Sequence, residues 1–166
     1  MLTAFRIGDP EGAFPIFDAN GSKLFPGRWN TAEAPIIYAS EHYSTAMLEK
    51  LAGSNGELPP NQHYIDITIP NGLSYEMLDP ARLPDWDHPS FRVARAFGEA
   101  WQRERRSALL LVPSVIARIE LNILINPEHP AFPSITHGPH RPVWWDRRLF
   151  RALGSRRLPE HPRAGI

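Results

Sequence analysis

The sequence has 166 residues, enough for one domain with a hydrophobic core, and 42% of them are hydrophobic. Eighteen Lys and Arg balance eighteen Asp and Glu, and this zero net charge argues against a general nucleic-acid binder, which would carry a basic excess. The absence of cysteine excludes disulfides, thiolate catalysis and cysteine-based zinc sites. No signal peptide is evident and no apolar run is long enough to cross a bilayer, so we expect a cytoplasmic protein without membrane contact.

The first predicted elements carry two arginines. Leu2 to Ile7 predicts a short strand that contains Arg6, which is either a structural ion-pair residue or an anion contact. The run GRWN at positions 27–30 predicts a tight loop, because glycine relieves the steric limit on φ and asparagine tolerates turn geometry. That loop would hold Arg28 in place.

A strand and a helix follow this loop. The branched and aromatic residues from Ile36 to Ala39 predict a short buried strand with Tyr38 at its end. Ser40 is a suitable N-cap for a helix over residues 40–52. Glu49 lies at the edge of the apolar stripe of that helix, so it is either a solvated residue or part of a site with Arg28 and Tyr38.

The rest of the chain predicts more strands than helices. His63 to Ile69 alternates apolar and polar residues and is the clearest strand. A helix is expected over residues 90–105, with Trp101 in the core. Strands over 108–112 and 115–124, joined by a Pro-Ser turn, suggest an antiparallel pair. The predicted fold is a mixed α+β single domain with a small central sheet and short flanking helices.

Several polar residues of the second half have two interpretations. Ser114 is an ordinary turn residue or a site residue. Asn122 and Asn126 share one face of an extended segment, where they bind ligand edges or cap the turn. The loop histidines at positions 129, 137 and 140 have no metal-ligand spacing, so no metal is expected. Residues 155–166 predict a flexible tail after a domain that spans 1–154.

Short motifs carry a resemblance to a known family. The sequence has no phosphate loop, no HExxH and no GxSxG, which leaves dehydrogenase, NTPase, zinc-protease and α/β-hydrolase functions without support. It resembles instead the RES-domain toxins of bacteria, named for an Arg, a Glu and a Ser, which would be Arg28, Glu49 and Ser114. The matching motifs, in order, are GRWN at 27–30, YASE at 38–41, LE at 48–49, VPS at 112–114, Asn122 through Asn126-Pro127, and DRRL at 146–149.

The resemblance implies an enzyme that consumes NAD. Members of that family are toxins of type II toxin–antitoxin systems, similar in fold to ADP-ribosyltransferase toxins and bound by an Xre-type antitoxin. It therefore implies an NAD glycohydrolase or NAD phosphorylase in a hetero-oligomer with its antitoxin, with NAD as substrate and no cofactor. An ADP-ribosyltransferase acting on a protein is the alternative. A non-catalytic interaction protein and an RNA-cleaving toxin are rivals from other classes, and the balanced charge gives little support to the second.

The resemblance also assigns roles. The nicotinamide of NAD leaves from a ribose carbon bonded to a cationic nitrogen, so one carboxylate suffices and no general acid is needed, unlike an ordinary glycoside. Glu49 would stabilise the oxocarbenium-like transition state, Arg28 would bind the pyrophosphate, and Tyr38 would pack on the ribose or nicotinamide. The remaining expected substrate contacts are Arg6, Ser114, Asn122 and Asn126.

Overall fold

A computed structural model describes residues 1–54 and 60–150. The chain is a mixed α+β protein with one central sheet and few short helices, which confirms the predicted fold class. The predicted boundary at residue 154 and the tail over 155–166 lie outside the described residues. Among the described residues, no helix is long and apolar enough to cross a membrane.

Within the part of the chain that the structure describes, eight strands form the sheet. They are β1 Leu2–Gly8, β2 Ile37–Ser40, β3 His63–Ile69, β4 Tyr75–Met77, β5 Leu109–Pro113, β6 Leu121–Ile125, β7 Thr136–His137 and β8 Arg141–Pro142. Their order is β4-β5-β6-β2-β1-β3-β7, and β8 also pairs with β3. The β4–β5 pair is parallel and the other described pairs are antiparallel. The sheet thus has more strands than the sequence predicted. The additional strands β4, β7 and β8 were not predicted because they are too short to leave a pattern in the sequence.

The helices are short. They are α1 Asn20–Leu24, α2 Tyr43–Gly53 and α3 Arg92–Arg103, with 3₁₀ turns at Pro80–Arg82, Phe132–Ser134 and Arg147–Phe150. Phe91, immediately before α3, is left-handed with φ of 60°, so this helix starts two residues later than predicted.

Side chains alternate between the two faces of the sheet and form two cores. One face buries Ile37, Ile123 and Ile125 together with the isoleucines of β3. The other face buries Leu110, Val112 and Leu124 against Trp101 of α3, which is fully buried as predicted. The sheet is therefore covered on both faces in its centre.

The sheet is weakly joined between β1 and β2. β1 pairs with β3 over seven residues but with β2 only at Phe5 and Ser40. Beyond that pair the two strands separate, and a cleft lies at this opening.

Two local predictions were wrong. Ser40 is not the N-cap of α2 but the last residue of β2, where its hydroxyl donates to Asn122; His42 precedes the helix and makes no side-chain cap. Residues 115–120 form a turn and not the first half of a strand, because Ser114 and Glu120 close this segment by a backbone hydrogen bond of 2.9 Å. Alternation of apolar residues was misleading here, since Ile116 and Ile119 are exposed.

The absence of a side chain at Gly98 lets α3 pack closely on the GRWN loop, so a larger residue there should destabilise the protein. A Cβ at residue 98 would overlap the Trp29 carbonyl group. We expect Gly98→Ala to lower the free energy of unfolding by about 2 kcal/mol or more, the usual cost of overpacking. The measurement is urea unfolding.

The matched control is Gly21→Ala in α1, where an added Cβ would contact nothing. There the substitution should stabilise the protein slightly, because glycine loses more backbone entropy on folding than alanine. Equal effects of the two substitutions would contradict the packing argument.

Candidate functional site

The Glu49 carboxylate is held by two side chains from the far side of the sheet opening. Its Oε1 accepts hydrogen bonds from Ser114 Oγ at 2.7 Å and from Asn122 Nδ2 at 2.6 Å. Ser40 Oγ in turn donates to Asn122 Oδ1 at 2.7 Å. These three polar side chains fix the position and the orientation of Glu49, which is half-buried.

The local backbone explains why Ser114 donates to Glu49. Ser114 begins the turn between β5 and β6, and its Oγ accepts the backbone N–H groups of Ile116 and Ala117 at 3.2 and 2.9 Å. Both acceptor positions of the hydroxyl are thus occupied, so its one proton is available to the carboxylate. Ser114 is both a turn residue and a site residue, and its contacts favour positioning of Glu49.

The GRWN loop is organised around the Tyr38 hydroxyl. That hydroxyl donates to Asn30 Oδ1 at 2.9 Å and accepts the Trp29 N–H at 3.0 Å. A Cβ at residue 27 would lie 2.6 Å from the Tyr38 oxygen, which is why glycine is needed there. Burial raises the pKa of Tyr38, so the hydroxyl stays protonated and serves as a structural donor.

Helix α3 anchors the same loop. Arg95 donates to the Gly27 carbonyl from Nε at 3.1 Å and from Nη2 at 2.9 Å. Arg95 was not singled out from the sequence, since a helix arginine after an apolar stripe is normally solvated.

Arg28 projects from this loop to the segment that precedes α3. Its Nη1 donates to the carbonyls of Trp86 and His88 at 3.3 and 3.0 Å, and its guanidinium lies 4.3 Å from the Phe91 ring centroid. Burial lowers the pKa of Arg28, while Asp87 and then Glu49 raise it. The charge of Glu49 thus acts on Arg28, although Arg28 does not line the cleft between β1 and α2.

A cleft of about 200 Å³ opens between β1 and α2. Its polar lining residues are Arg6, Tyr38, Ser40, Glu49, Lys50 and Asn122. Arg6 crosses the gap between the separated strands: its Nε donates to the Ile16 carbonyl at 2.6 Å and its Nη1 to the Tyr38 carbonyl at 2.7 Å. Desolvation lowers the pKa of Arg6 to about 10, so Arg6 keeps its charge at neutral pH.

The structure brings together most of the predicted site residues. Arg6, Tyr38, Glu49 and Asn122 line the cleft, and Ser114 binds Glu49. Asn126 is fully buried elsewhere: its Nδ2 donates to the Gln102 carbonyl and its Oδ1 accepts the Glu128 N–H, both at 2.9 Å. These are the contacts of a turn cap, the second of the two interpretations given for this residue.

Sequence reasoning missed two lining residues, Ser40 and Lys50. Ser40 had been assigned to the helix cap, and Lys50 had no pattern of its own beside Glu49. A closer signal existed for Ser40, because a strand residue opposite an asparagine on the neighbouring strand often forms a polar pair.

No group of three potential metal ligands occurs within residues 1–54 and 60–150.

Comparison with known proteins identifies the family. The family model of the RES domain matches residues 3–146. The chain belongs to the RES domain family. The resemblance inferred from the short motifs is thereby confirmed.

Relatives of this RES domain protein carry toxin names. It is 40% identical over 159 residues to the "Prs ADP-ribosylating toxin" of Sphingobium sp. (strain YBL2), a match that covers 91% of this chain and 99% of that protein. It is 32% identical to the "Toxin Res" of Photorhabdus laumondii and 31% identical to that of Pseudomonas putida, covering 76% and 71% of this chain and 82% of each relative.

A solved structure shares the fold. The chain aligns with a chain of the crystal structure of the M. tuberculosis MbcT–MbcA toxin–antitoxin complex at a TM-score of 0.62 and 19% identity, covering 84% of this chain and 82% of that one. At this identity the match bears on the fold alone.

Replacing Tyr38 by phenylalanine tests whether its hydroxyl stabilises the GRWN loop. Tyr38→Phe keeps the ring in the cleft but leaves the Trp29 N–H without its partner. We expect the free energy of unfolding to fall by about 1–3 kcal/mol, the penalty for a buried donor that loses its acceptor. Denaturant unfolding measures it.

The control is Tyr75→Phe, since Tyr75 is 63% exposed. That change should stay within about 0.5 kcal/mol. A Tyr38→Phe protein as stable as the wild type would show that the hydroxyl does not hold the loop.

Proposed function

We propose that this protein is the toxin of a type II toxin–antitoxin system and depletes NAD by cleaving its nicotinamide–ribose bond. The observation that carries the proposal is the Glu49 carboxylate, fixed by Ser114 and Asn122 beside a cleft with two cationic side chains. The toxin names of three relatives support the biological setting. An Xre-type antitoxin as partner and action in the cytoplasm belong to the same proposal.

The reaction needs one well-placed negative charge. The bond between ribose C1′ and the nicotinamide nitrogen breaks, and its electron pair neutralises the cationic ring as nicotinamide departs. Positive charge develops on the ribose, where a carboxylate that is already oriented stabilises it without reorganisation. An oxygen of water or phosphate then bonds to C1′; with water as the nucleophile, a proton is released.

The contacts of Glu49 suit this role. Ser114 and Asn122 both donate to Oε1, and no described side chain donates to Oε2. One oxygen thus holds the side chain in place while the other can face the substrate. In this proposal Tyr38 contributes its ring to the cleft wall, Asn122 lies beside the ribose, and Arg28 binds the pyrophosphate.

Transfer of ADP-ribose to a protein is the second candidate. It is favoured by the name of the Sphingobium relative, which matches this chain over nearly its whole length. Both reactions begin with the same bond cleavage and differ in the nucleophile. Mass spectrometry separates them: NAD incubated with the protein alone yields free products in the first case, and an acceptor protein gains ADP-ribose in the second.

Glu49→Gln tests the catalytic carboxylate. The glutamine oxygen can still accept from Ser114 and Asn122, so the fold and most ground-state binding should persist while the negative charge is lost. We expect single-turnover NAD cleavage to slow by a factor on the order of 10² or more, as for other preorganised electrostatic groups. The measurement is rapid mixing at saturating NAD.

Glu11→Gln, at an exposed position, is the matched control and should cleave NAD at the wild-type rate. A Glu49→Gln rate within about threefold of the wild type, a barrier change of about 0.6 kcal/mol, would contradict the assignment of Glu49 as the catalytic carboxylate.

Arg28→Lys tests the proposed pyrophosphate contact. Lysine keeps the charge but loses the planar fork and the position over the Phe91 ring. We expect the Kd of NAD, measured by calorimetry on the Glu49→Gln background, to rise about tenfold.

The control is Arg82→Lys, which should leave the Kd of NAD unchanged. Arg82 is largely exposed and pairs with Asp79. An unchanged Kd for Arg28→Lys would remove Arg28 from the binding site.

A further inference from the structure

The cleft has more cationic than anionic lining residues. The charged residues of its lining are Arg6, Glu49 and Lys50, which gives two positive charges and one negative charge. Glu49 is directed to β5 and β6 by Ser114 and Asn122, whereas Arg6 lies on β1. Among the described residues, neither Arg6 nor Lys50 forms an ion pair with a carboxylate, although Asp18 is near enough to raise the pKa of Arg6.

Arg6 is rigid and only partly satisfied. Its Nε and Nη1 donate to the Ile16 and Tyr38 carbonyls, which fix the plane of the guanidinium. Its Nη2 donates to no group among the residues that the structure describes. A planar donor held in this way is preorganised for an oxyanion.

Lys50 faces the same space with its charge poorly compensated. Its side chain is half-buried, and its ammonium group forms neither an ion pair nor a hydrogen bond with a described residue. Burial lowers the pKa of Lys50, the charge of Arg6 lowers it further, and Asp9 raises it. Asp9 is already engaged, because its Oδ1 accepts from Asn61 Nδ2 and from the Glu11 N–H.

Two neighbouring cations in a partly desolvated cleft repel each other, and a phosphate group would relieve that repulsion. We propose that Arg6 of β1 and Lys50 of α2 form a phosphate-binding subsite in the cleft between these two elements. The proposal rests on the proposed function for the choice of phosphate, which is either a phosphate of the dinucleotide, bound in addition to its contact with Arg28, or inorganic phosphate that acts as the nucleophile. Both sources present the same chemistry to the subsite.

The sequence allows an unusually clean test, since Lys23 and Lys50 are its only lysines. The wild-type chain is treated with an amine-acylating reagent at constant ionic strength, and acylation of each lysine is followed by peptide mass spectrometry. The probes are inorganic phosphate and ADP, and sodium chloride is the reference. Exposed Lys23 in α1 is the internal control.

We expect either phosphate or ADP, at about ten times its Kd, to slow acylation of Lys50 about tenfold, because the bound anion covers the amine in most molecules. Acylation of Lys23 should not change. If neither probe protects Lys50, or if both lysines are protected equally, the subsite does not exist. This measurement needs no catalysis, so it stands even if NAD is not a substrate.

Kinetics of Lys50 variants then distinguish the two sources. Lys50→Met keeps the apolar stem and removes the charge, Lys50→Arg restores a charge, and Lys23→Met is the control. A tenfold rise in the KM of NAD that Lys50→Arg reverses, with ADP as the stronger protector, identifies the pyrophosphate. An unchanged KM of NAD with loss of a phosphate-dependent rate identifies inorganic phosphate.

A Lys50→Met protein with wild-type KM for NAD and wild-type phosphate dependence would overturn the proposal even if Lys50 were protected. If the wild type cleaves no NAD while phosphate or ADP still protects Lys50, the proposed function fails and the subsite remains.

Discussion

The hydrogen-bonded carboxylate of Glu49 is the interaction on which the site depends. A half-buried carboxylate is costly unless donors replace its water, and here the donors come from the ends of two different strands. The backbone N–H groups of the turn after β5 hold the Ser114 oxygen so that its proton is directed to Glu49, and Asn122 points at Glu49 because Ser40 holds its amide oxygen. The β2, β5 and β6 strands must therefore be in register before α2 can present a glutamate held in this way.

The opening between β1 and β2 is the complementary constraint. A continuous sheet would pair these strands along their length and leave no room for a ligand, yet they share a single residue pair. Arg6 compensates by donating to the Tyr38 carbonyl, an acceptor on the side of β2 that faces β1. One side chain thus satisfies a backbone group that the separation exposes and places a positive charge in the cleft. Removal of Arg6 would disturb both the sheet and the site, which makes it a poor probe of either alone.

Much of the central sheet could be predicted because its signals are local. The alternation of Ile65, Ile67 and Ile69 fixes β3 in place, and its observed bounds are the predicted ones. The turn over 115–120 could not be predicted, since the hydroxyl contacts of Ser114 override the apolar alternation that follows it. The prediction of Ser40 as a helix cap was wrong for a related reason, because its hydrogen-bond partner Asn122 lies 82 positions away in the chain. That Glu49 and Ser114 would lie in one site was expected from the family motifs. No spacing in the sequence predicts the hydrogen bond between them.

The two arginines of the site are held by unrelated parts of the molecule. Arg6 depends on β1 and on the carbonyls of the opening, whereas Arg28 depends on a loop fixed by Tyr38, Asn30 and Arg95. Because α3 supplies Arg95 and packs through Gly98 on the Trp29 carbonyl, the position of Arg28 is tied to the core that contains Trp101. The charge of Arg6 lowers the pKa of Lys50, and the charges of Asp87 and Glu49 raise the pKa of Arg28. Positive charge thus acts on Glu49 and its cleft from two independently supported elements, an arrangement suited to a substrate that extends past the carboxylate and carries negative charge.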